Sequence, residues 1–523
     1  MSRTAFRVRL ALLLGAAILM QACTTLGPDY REPDVDWLQA WQPDLYGQWD
    51  PDGQRPPPDA AFWWQSFNDP ALNRLIDAAH AANPTLRVAG LRILEARARL
   101  GIAGSALYPQ LQQLTGSASY VDTRSHGGGT PGAGDTSFGA YQAGFAFGWE
   151  LDFWGRFRRG VESADAAFFA SIANQQDAQV LLNAQVADLY FTFRTLELRI
   201  GIARENAAIQ KRSYDITQKV FRSGEASELD LQQARTQYLA TLATIPELQL
   251  ALTRTRNAIG GLLGRPPGEL PELAVPLERL PAAEVGRLQD TPARLLMRRP
   301  DVRAAAWQVA AQSAQIGVAE ADYYPAISLL GSLTWSGNSL SRSADTTTLG
   351  IGPGLSWNLF DHGRIANNVR LQDVRLQQLI EQYQIVVLQA AREIDDAAVS
   401  VVKTAEQAHF LGESVKAARR SLHLANARYR EGYADFQRVL DAQRAVFSQT
   451  EQELVNQGNQ VAALIDLYRA LGGGWVQTPV DALVPPRTRE QMQQRSDWGD
   501  LLTAPLPAAV PMPVASESEV NDE

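Results

Sequence analysis

The chain of 523 residues has one cysteine, five histidines and no surplus of basic residues. Cys23 stands alone, so no internal disulfide can form. The histidines (His80, His126, His362, His409, His423) show no metal-ligand spacing. No nucleophile motif, Walker loop or dinucleotide fingerprint is present. The glycine-rich run at 127–134 precedes a strand pattern rather than a helix, so it is no phosphate cradle. Together these absences leave no case for an enzyme and call for no cofactor or metal. Lys and Arg total 48 against 57 acids, a formal charge of −9, which argues against a nucleic-acid partner. After the N-terminus no stretch reaches ~18 consecutive apolar residues, the length of a membrane-crossing helix. Any crossing must therefore use strands.

The first residues read as a processing signal. Arg3, Arg7 and Arg9 precede the apolar run Leu10 to Met20, which is too short to span a bilayer. Residues 1–22 are expected to be removed, taking three arginines and no acid, so the mature charge becomes −12. Met20-Gln-Ala-Cys23 resembles a bacterial lipoprotein box, with Met20 where Leu is usual and Cys23 as the lipidated first residue. Thr24 is not the Asp that retains lipoproteins at the inner membrane, which implies the outer membrane.

The remainder is written twice. Pro84, Arg87, Gly101, Tyr108 and Pro109 recur 216 positions later as Pro300, Arg303, Gly317, Tyr324 and Pro325. Trp149, Leu151, Gly155, Arg156, Arg222, Gly224 and Leu263 recur 208 later as Trp357, Leu359, Gly363, Arg364, Arg430, Gly432 and Leu471. The register slips once, in the interval holding the Gly/Pro run, which is what a surface loop tolerates.

Each copy reads as helix, two strands, long helix, turn and helix. Strands are expected at about 111–122, 138–151, 326–336 and 348–360. Tyr141, Ala143, Phe145, Phe147, Trp149 and Leu151 alternate with small or polar residues, as do Leu349, Ile351, Leu355, Trp357 and Leu359. Residues 111–121 alternate poorly. Segments of about ten residues, apolar on one face, fit transmembrane barrel strands; half-buried sandwich strands are the alternative. Four strands cannot close a barrel, for which about eight are needed, so several chains would share one. Pro353 requires an unpaired or distorted position.

Past Gly155 and Gly363 the period lengthens. Leu182, Val186, Leu189, Phe193, Leu196 and Ile200 follow 4-3-4-3-4 spacing, as do Ala390, Ile394, Ala397, Val401, Thr404, Ala408 and Leu411 in the copy. No proline interrupts Arg156 to Phe221, which predicts roughly 100 Å of helix. Arg222-Ser-Gly224 and Arg430-Glu-Gly432 mark the turns.

These elements, with Cys23 followed by "GPDY", "WWQSFNDPALNRLI" (63–76), "RRPDVRAAAWQVAAQSAQIGVAEADYYP" (298–325), "YREGYADFQRVLDAQR" (429–444) and "LYRALGGGW" (467–475), resemble the TolC-type outer-membrane efflux proteins. The similarity runs over roughly residues 23–480 and is greatest to the lipoprotein branch serving resistance–nodulation–division pumps. It implies a mixed membrane α+β fold: a homotrimer sharing one twelve-stranded β-barrel, four strands per chain, continued by a long periplasmic helical barrel with an equatorial collar. It implies a lipid anchor at Cys23, and a periplasmic adaptor and inner-membrane pump as partners. A periplasmic aperture is implied at Gln437, Arg438 and Asp441, with Asp230 in the first copy and Tyr429 tying the closed helices. Arg438 would partly neutralise the acidic ring by pairing with Asp. Arg222, Gly224, Arg430 and Gly432 would form the tips that meet the adaptor.

The expected organisation is a signal peptide (1–22), a lipidated extension (23–66), one repeat (67–264), a linker (265–290), a second repeat (291–474), and a C-terminal collar segment with a Pro/Ala-rich, acidic tail (475–523). The expected function is the passive outer-membrane conduit of an efflux system for drugs or other small toxic compounds. A protein-secretion exit duct and a periplasmic adaptor or scaffold are the alternatives.

Overall fold

Each copy of the duplicated sequence builds the same elements at the same offset. The computed structural model describes residues 25–35, 38, 60–124, 136–225, 227–281, 293–338 and 346–507. Cys23, the leader, the Gly/Pro run and the last residues of the tail lie outside them. A 3-10 turn (Ala60–Phe67) leads into α1 (Pro70–Ala82) and α2 (Pro84–Ser105). Strands β1 (Leu111–Thr123) and β2 (Thr136–Leu151) follow, then α3 (Arg156–Arg222) and α4 (Glu228–Leu262). The second copy is α5 (Pro300–Glu320), β3 (Ala326–Gly337), β4 (Thr346–Ser356), α6 (Arg364–Arg430) and α7 (Phe436–Ala470). Short helices α8 (Val480–Leu483) and α9 (Pro486–Arg495) complete the chain. Pro84 and Pro300 both open their helices, where a missing N–H costs nothing. Helices α3 and α6 each run 67 residues, about 100 Å at 1.5 Å per residue.

The four strands form one antiparallel meander, β1-β2-β3-β4. Its register gathers the apolar residues on one face: Leu114 pairs with Phe145, Phe145 with Leu333, and Leu333 with Leu349. The adjacent row, Thr115, Gly144, Thr334 and Thr348, lies on the opposite face. β1 takes its place in this register despite its poor alternation, contributing Gln112 and Gly116 to the apolar face. Pro353 in β4 lies opposite Leu329 and removes one N–H from the strand's hydrogen bonding.

β4 ends at Ser356 rather than at 360. Ser356 pairs with Ala326, the first residue of β3, and Pro325 before it has no N–H to extend the ladder. Trp357 leaves the strand and donates its indole N–H to the Tyr323 carbonyl at 3.0 Å. Its twin Trp149 donates to Leu107 at 3.3 Å. Both passages into the long helices turn on glycine: Gly155 (φ 74°) and Gly363 (φ 83°) take the left-handed region that side chains resist.

The helices pack as coiled pairs whose seam residues Leu182, Val186, Phe193, Leu196 and Ile200 are buried. The main core surrounds Trp63, stacked 5.3 Å from Tyr468, with Leu72, Tyr190 and Phe191 around it. The two chain ends cover opposite copies. Residues 25–35, a strap along the second copy, are clasped by Arg159, which is 3% exposed and donates to the carbonyls of Leu26 (2.8 Å) and Gly27 (3.0 Å) and to Asp29 (2.8 Å). The C-terminal segment lies on α2, where Arg97 donates to the carbonyls of Leu501, Ala504 and Pro505.

Candidate functional site: the sheet and the hairpin tips

The α3–α4 and α6–α7 hairpins end in matched turns. Gly224 (φ 83°) donates to Phe221 at 3.0 Å, and Glu225 to Val220 at 3.1 Å. Gly432 (φ 78°) donates to Tyr429 at 3.1 Å, and Tyr433 to Arg428 at 2.8 Å. These paired bonds satisfy the last helical carbonyls and require the left-handed residue that glycine supplies. Nothing lies within 4 Å of a Cβ built at either glycine, so both tips are open surface. Arg222 and Arg430 are exposed beside them.

The return helices start on side-chain caps. Ser227 and Asp230 form a capping box on α4: Asp230 N–H donates to the Ser227 hydroxyl at 3.1 Å, and that hydroxyl donates to the Asp230 carboxylate at 2.8 Å. Asp435 caps α7 by accepting from the Arg438 N–H. One turn on, Asp441 accepts from Gln437 at 3.1 Å and pairs with Arg444 at 3.1 Å. Asp441 is 57% exposed on its side chain. The expected pairing of Arg438 with the aperture acid is therefore not the one seen within a chain: Arg438 approaches Asp435 at 3.8 Å, and Arg444 meets Asp441. Arg438 and Arg444 each stand three residues from Asp441, so spacing put either within reach and only the folded helix selects Arg444. The structure thus brings Gln437, Asp441 and Arg444 together and leaves Asp230, on the other hairpin, engaged with Ser227. Tyr429 packs its ring 5.4 Å from Phe436 across the α6–α7 turn. Farther up, Arg199 on α3 donates to Glu451 on α7 at 2.7 and 3.0 Å, and Gln443 donates to Ser213 at 3.1 Å, tying the two hairpins to each other.

At the opposite end of these helices the apolar row of the sheet is open: Leu114 is 80% exposed, Phe145 44%, Leu333 47% and Leu349 75%. No described helix is long and apolar enough to cross a membrane.

A family model described as "Outer membrane efflux protein" matches residues 75–265 and 291–473, one match for each copy. The chain belongs to the outer membrane efflux protein family. It is 31% identical over 476 residues to the solvent efflux pump outer membrane protein SrpC of Pseudomonas putida, covering 88% of this chain and 97% of that one. It is 28% identical to SilC of Salmonella typhimurium, a probable outer membrane lipoprotein, covering 90% of this chain and all of that one. Among solved structures, the outer-membrane channel OprN superposes with a TM-score of 0.76 at 33% identity, over 87% of this chain and 100% of that one. The fold is thus that of the TolC-type channels, and the chain is an outer-membrane channel component of an efflux system. Its place is the outer membrane, with a large periplasmic helical extension.

Proposed function

We propose that three copies of this chain close one twelve-stranded barrel and act as a passive conduit, not an enzyme, carrying small toxic organic compounds out of the cell. The observation that carries this reading is the four-stranded meander, with a bare apolar row on one face and unpaired edges at β1 and β4. Such a face is stable only against lipid or protein, and open edges pair with like edges in a neighbour. Family members form trimers that work with periplasmic adaptors and inner-membrane resistance–nodulation–division pumps. SrpC exports solvents by name, and the same broad cargo class suits this chain.

In this reading Cys23 carries the lipid anchor and residues 23–66 follow it as an extension. The repeats at 67–264 and 291–474 supply one strand hairpin and one helical hairpin each, with 265–290 and 475–523 in the collar. Three Asp441 side chains, set by Gln437 and Arg444, ring the periplasmic aperture, with Arg438, Asp230 and Tyr429 around them. Like charges brought close repel one another and draw cations. Arg222, Gly224, Arg430 and Gly432 are the tips that receive the adaptor. The test is ethidium accumulation in the host lacking this chain, restored with wild type or with Gly432→Trp. Wild type should lower accumulation, and the variant should not, while still forming trimers. Equal rescue by both would refute the docking assignment, and no rescue by wild type would refute efflux.

A further inference from the structure

A cavity of about 830 Å³ opens where the start of α1, the middle of α3, the connector at 275–281 and the α6–α7 hairpin meet. Its volume lies in the range of small-molecule sites. Phe67, Leu277 and Leu280 contribute apolar wall, and three arginines line it: Arg74, Arg194 and Arg279.

The charge of the lining is not balanced. Asp69 is its one acid, and that carboxylate is already engaged. One oxygen accepts from the N–H groups of Ala71 and Leu72, capping α1, and the other accepts the Tyr190 hydroxyl at 2.5 Å. Burial, with Asp69 beside it, pushes the Tyr190 phenol up, so it stays a neutral donor. Arg194 is 1% exposed and lies 5.0 Å over the Tyr190 ring. It donates to Glu197 at 2.7 Å and to the Leu273 carbonyl at 3.3 Å, and it is held against Tyr190. Arg74 and Arg279 are exposed at the mouth and enter none of the side-chain hydrogen bonds or ion pairs among the described residues, although Arg74 is near enough to Glu272 to help hold that carboxyl low. Two exposed guanidinium groups at the mouth of an apolar pocket favour an anion that brings an apolar body with it.

We infer that this cavity is a binding site for amphipathic organic anions, a carboxylate, sulfonate or phosphate monoester on a ring or short-chain body, with Arg74 and Arg279 taking the headgroup. The apolar body lies against Phe67, Leu277 and Leu280, and Arg194 supplies positive potential from behind. The site is separate from the hairpin tips and the aperture.

The probe is naphthalene-2-sulfonate, titrated calorimetrically into the full-length trimer in zwitterionic nanodiscs, with naphthalene-2-sulfonamide as its neutral counterpart. Wild type should bind the sulfonate saturably, one per chain, and at least tenfold tighter than the sulfonamide, with affinity falling as salt rises. Arg74→Gln/Arg279→Gln, at two exposed positions, should weaken the sulfonate at least tenfold and leave the sulfonamide unchanged. Leu277→Trp, which fills the cavity from its wall, should weaken both probes. Equal sulfonate affinity in wild type and the double variant would overturn the proposal. So would the absence of saturable binding, which would mean that the connector or a neighbouring protomer already fills the cavity.

Discussion

Gly317→Ala should unfasten the N-terminal strap while leaving the rest of the chain folded. A Cβ at Gly317 would collide with the Leu26 carbonyl oxygen and meet Arg159 Cγ at 2.9 Å and Arg159 Nε at 3.2 Å. The facing residue leaves no slack: a Cβ at Gly27 would lie 2.5 Å from Gly317 Cα. The alanine must therefore push residues 26–29 off α5, breaking the three bonds that Arg159 makes to Leu26, Gly27 and Asp29. At about 1 kcal/mol net for each hydrogen bond, the strap loses ~3 kcal/mol of local stability. That corresponds to roughly a hundredfold rise in its open population. Arg159 keeps its bond to Glu162 at 2.7 Å, so the helix does not bury an unpaired charge. Amide hydrogen exchange over residues 25–35 measures the effect directly, and tryptic cleavage at Arg31 reports it independently. The duplication supplies the control. Gly101 is the counterpart of Gly317, and nothing lies within 4 Å of a Cβ there, so Gly101→Ala should leave strap exchange unchanged. Unaltered protection of residues 25–35 in Gly317→Ala, or equal loss in Gly101→Ala, would refute the reasoning.

Three further predictions follow from the geometry. Asp177 is pushed up to about 6 by burial and by Asp301. The folded chain therefore binds that proton more tightly than the unfolded chain does, and the ionised form destabilises: the penalty is absent below about pH 4, grows from pH 4 to 6 and is complete above. Asp177→Asn should raise the melting temperature at pH 7.5, by up to ~3 kcal/mol of stability, and should match wild type at pH 4; a pH-independent difference would contradict this. Ser227→Ala removes one half of the capping box and should cost ~1 kcal/mol, visible as faster exchange of the first amides of α4 with global melting little changed. Asp441→Ala removes the acceptor for Gln437 and Arg444 and should raise the conductance of the closed channel in planar bilayers and weaken its cation preference; an unchanged conductance and selectivity would remove Asp441 from the aperture.

Much of this architecture was legible because it is written twice. The 208-residue offset appears in the structure as α3 and α6, each 67 residues long, and as the 35-residue helices α4 and α7. Seam spacing and turn glycines are local signals, and both survive folding. Other features depended on partners that no local pattern encodes. β1 alternates poorly because Gln112 and Gly116 lie on its apolar face, so only pairing with β2 sets its register. β4 stops where β3 runs out, a property of the neighbouring strand. The Arg159 and Arg97 clasps end on backbone carbonyls, which carry no residue signature. Gly101 and Gly317 are the same letter in the two copies, but the strap crosses only one of them. At the tips the turns were readable, whereas spacing alone did not decide the partner of Asp441, which has Arg438 three residues before it and Arg444 three after.

The central claim, that four strands from each of three chains make one barrel, is tested most directly by single-particle imaging of the protein extracted from outer membranes. The account predicts threefold hollow cylinders in which β1 of one chain pairs with β4 of the next, carrying a helical extension near 100 Å. Monomers with an uncovered sheet, or solid rods without a lumen, would contradict it.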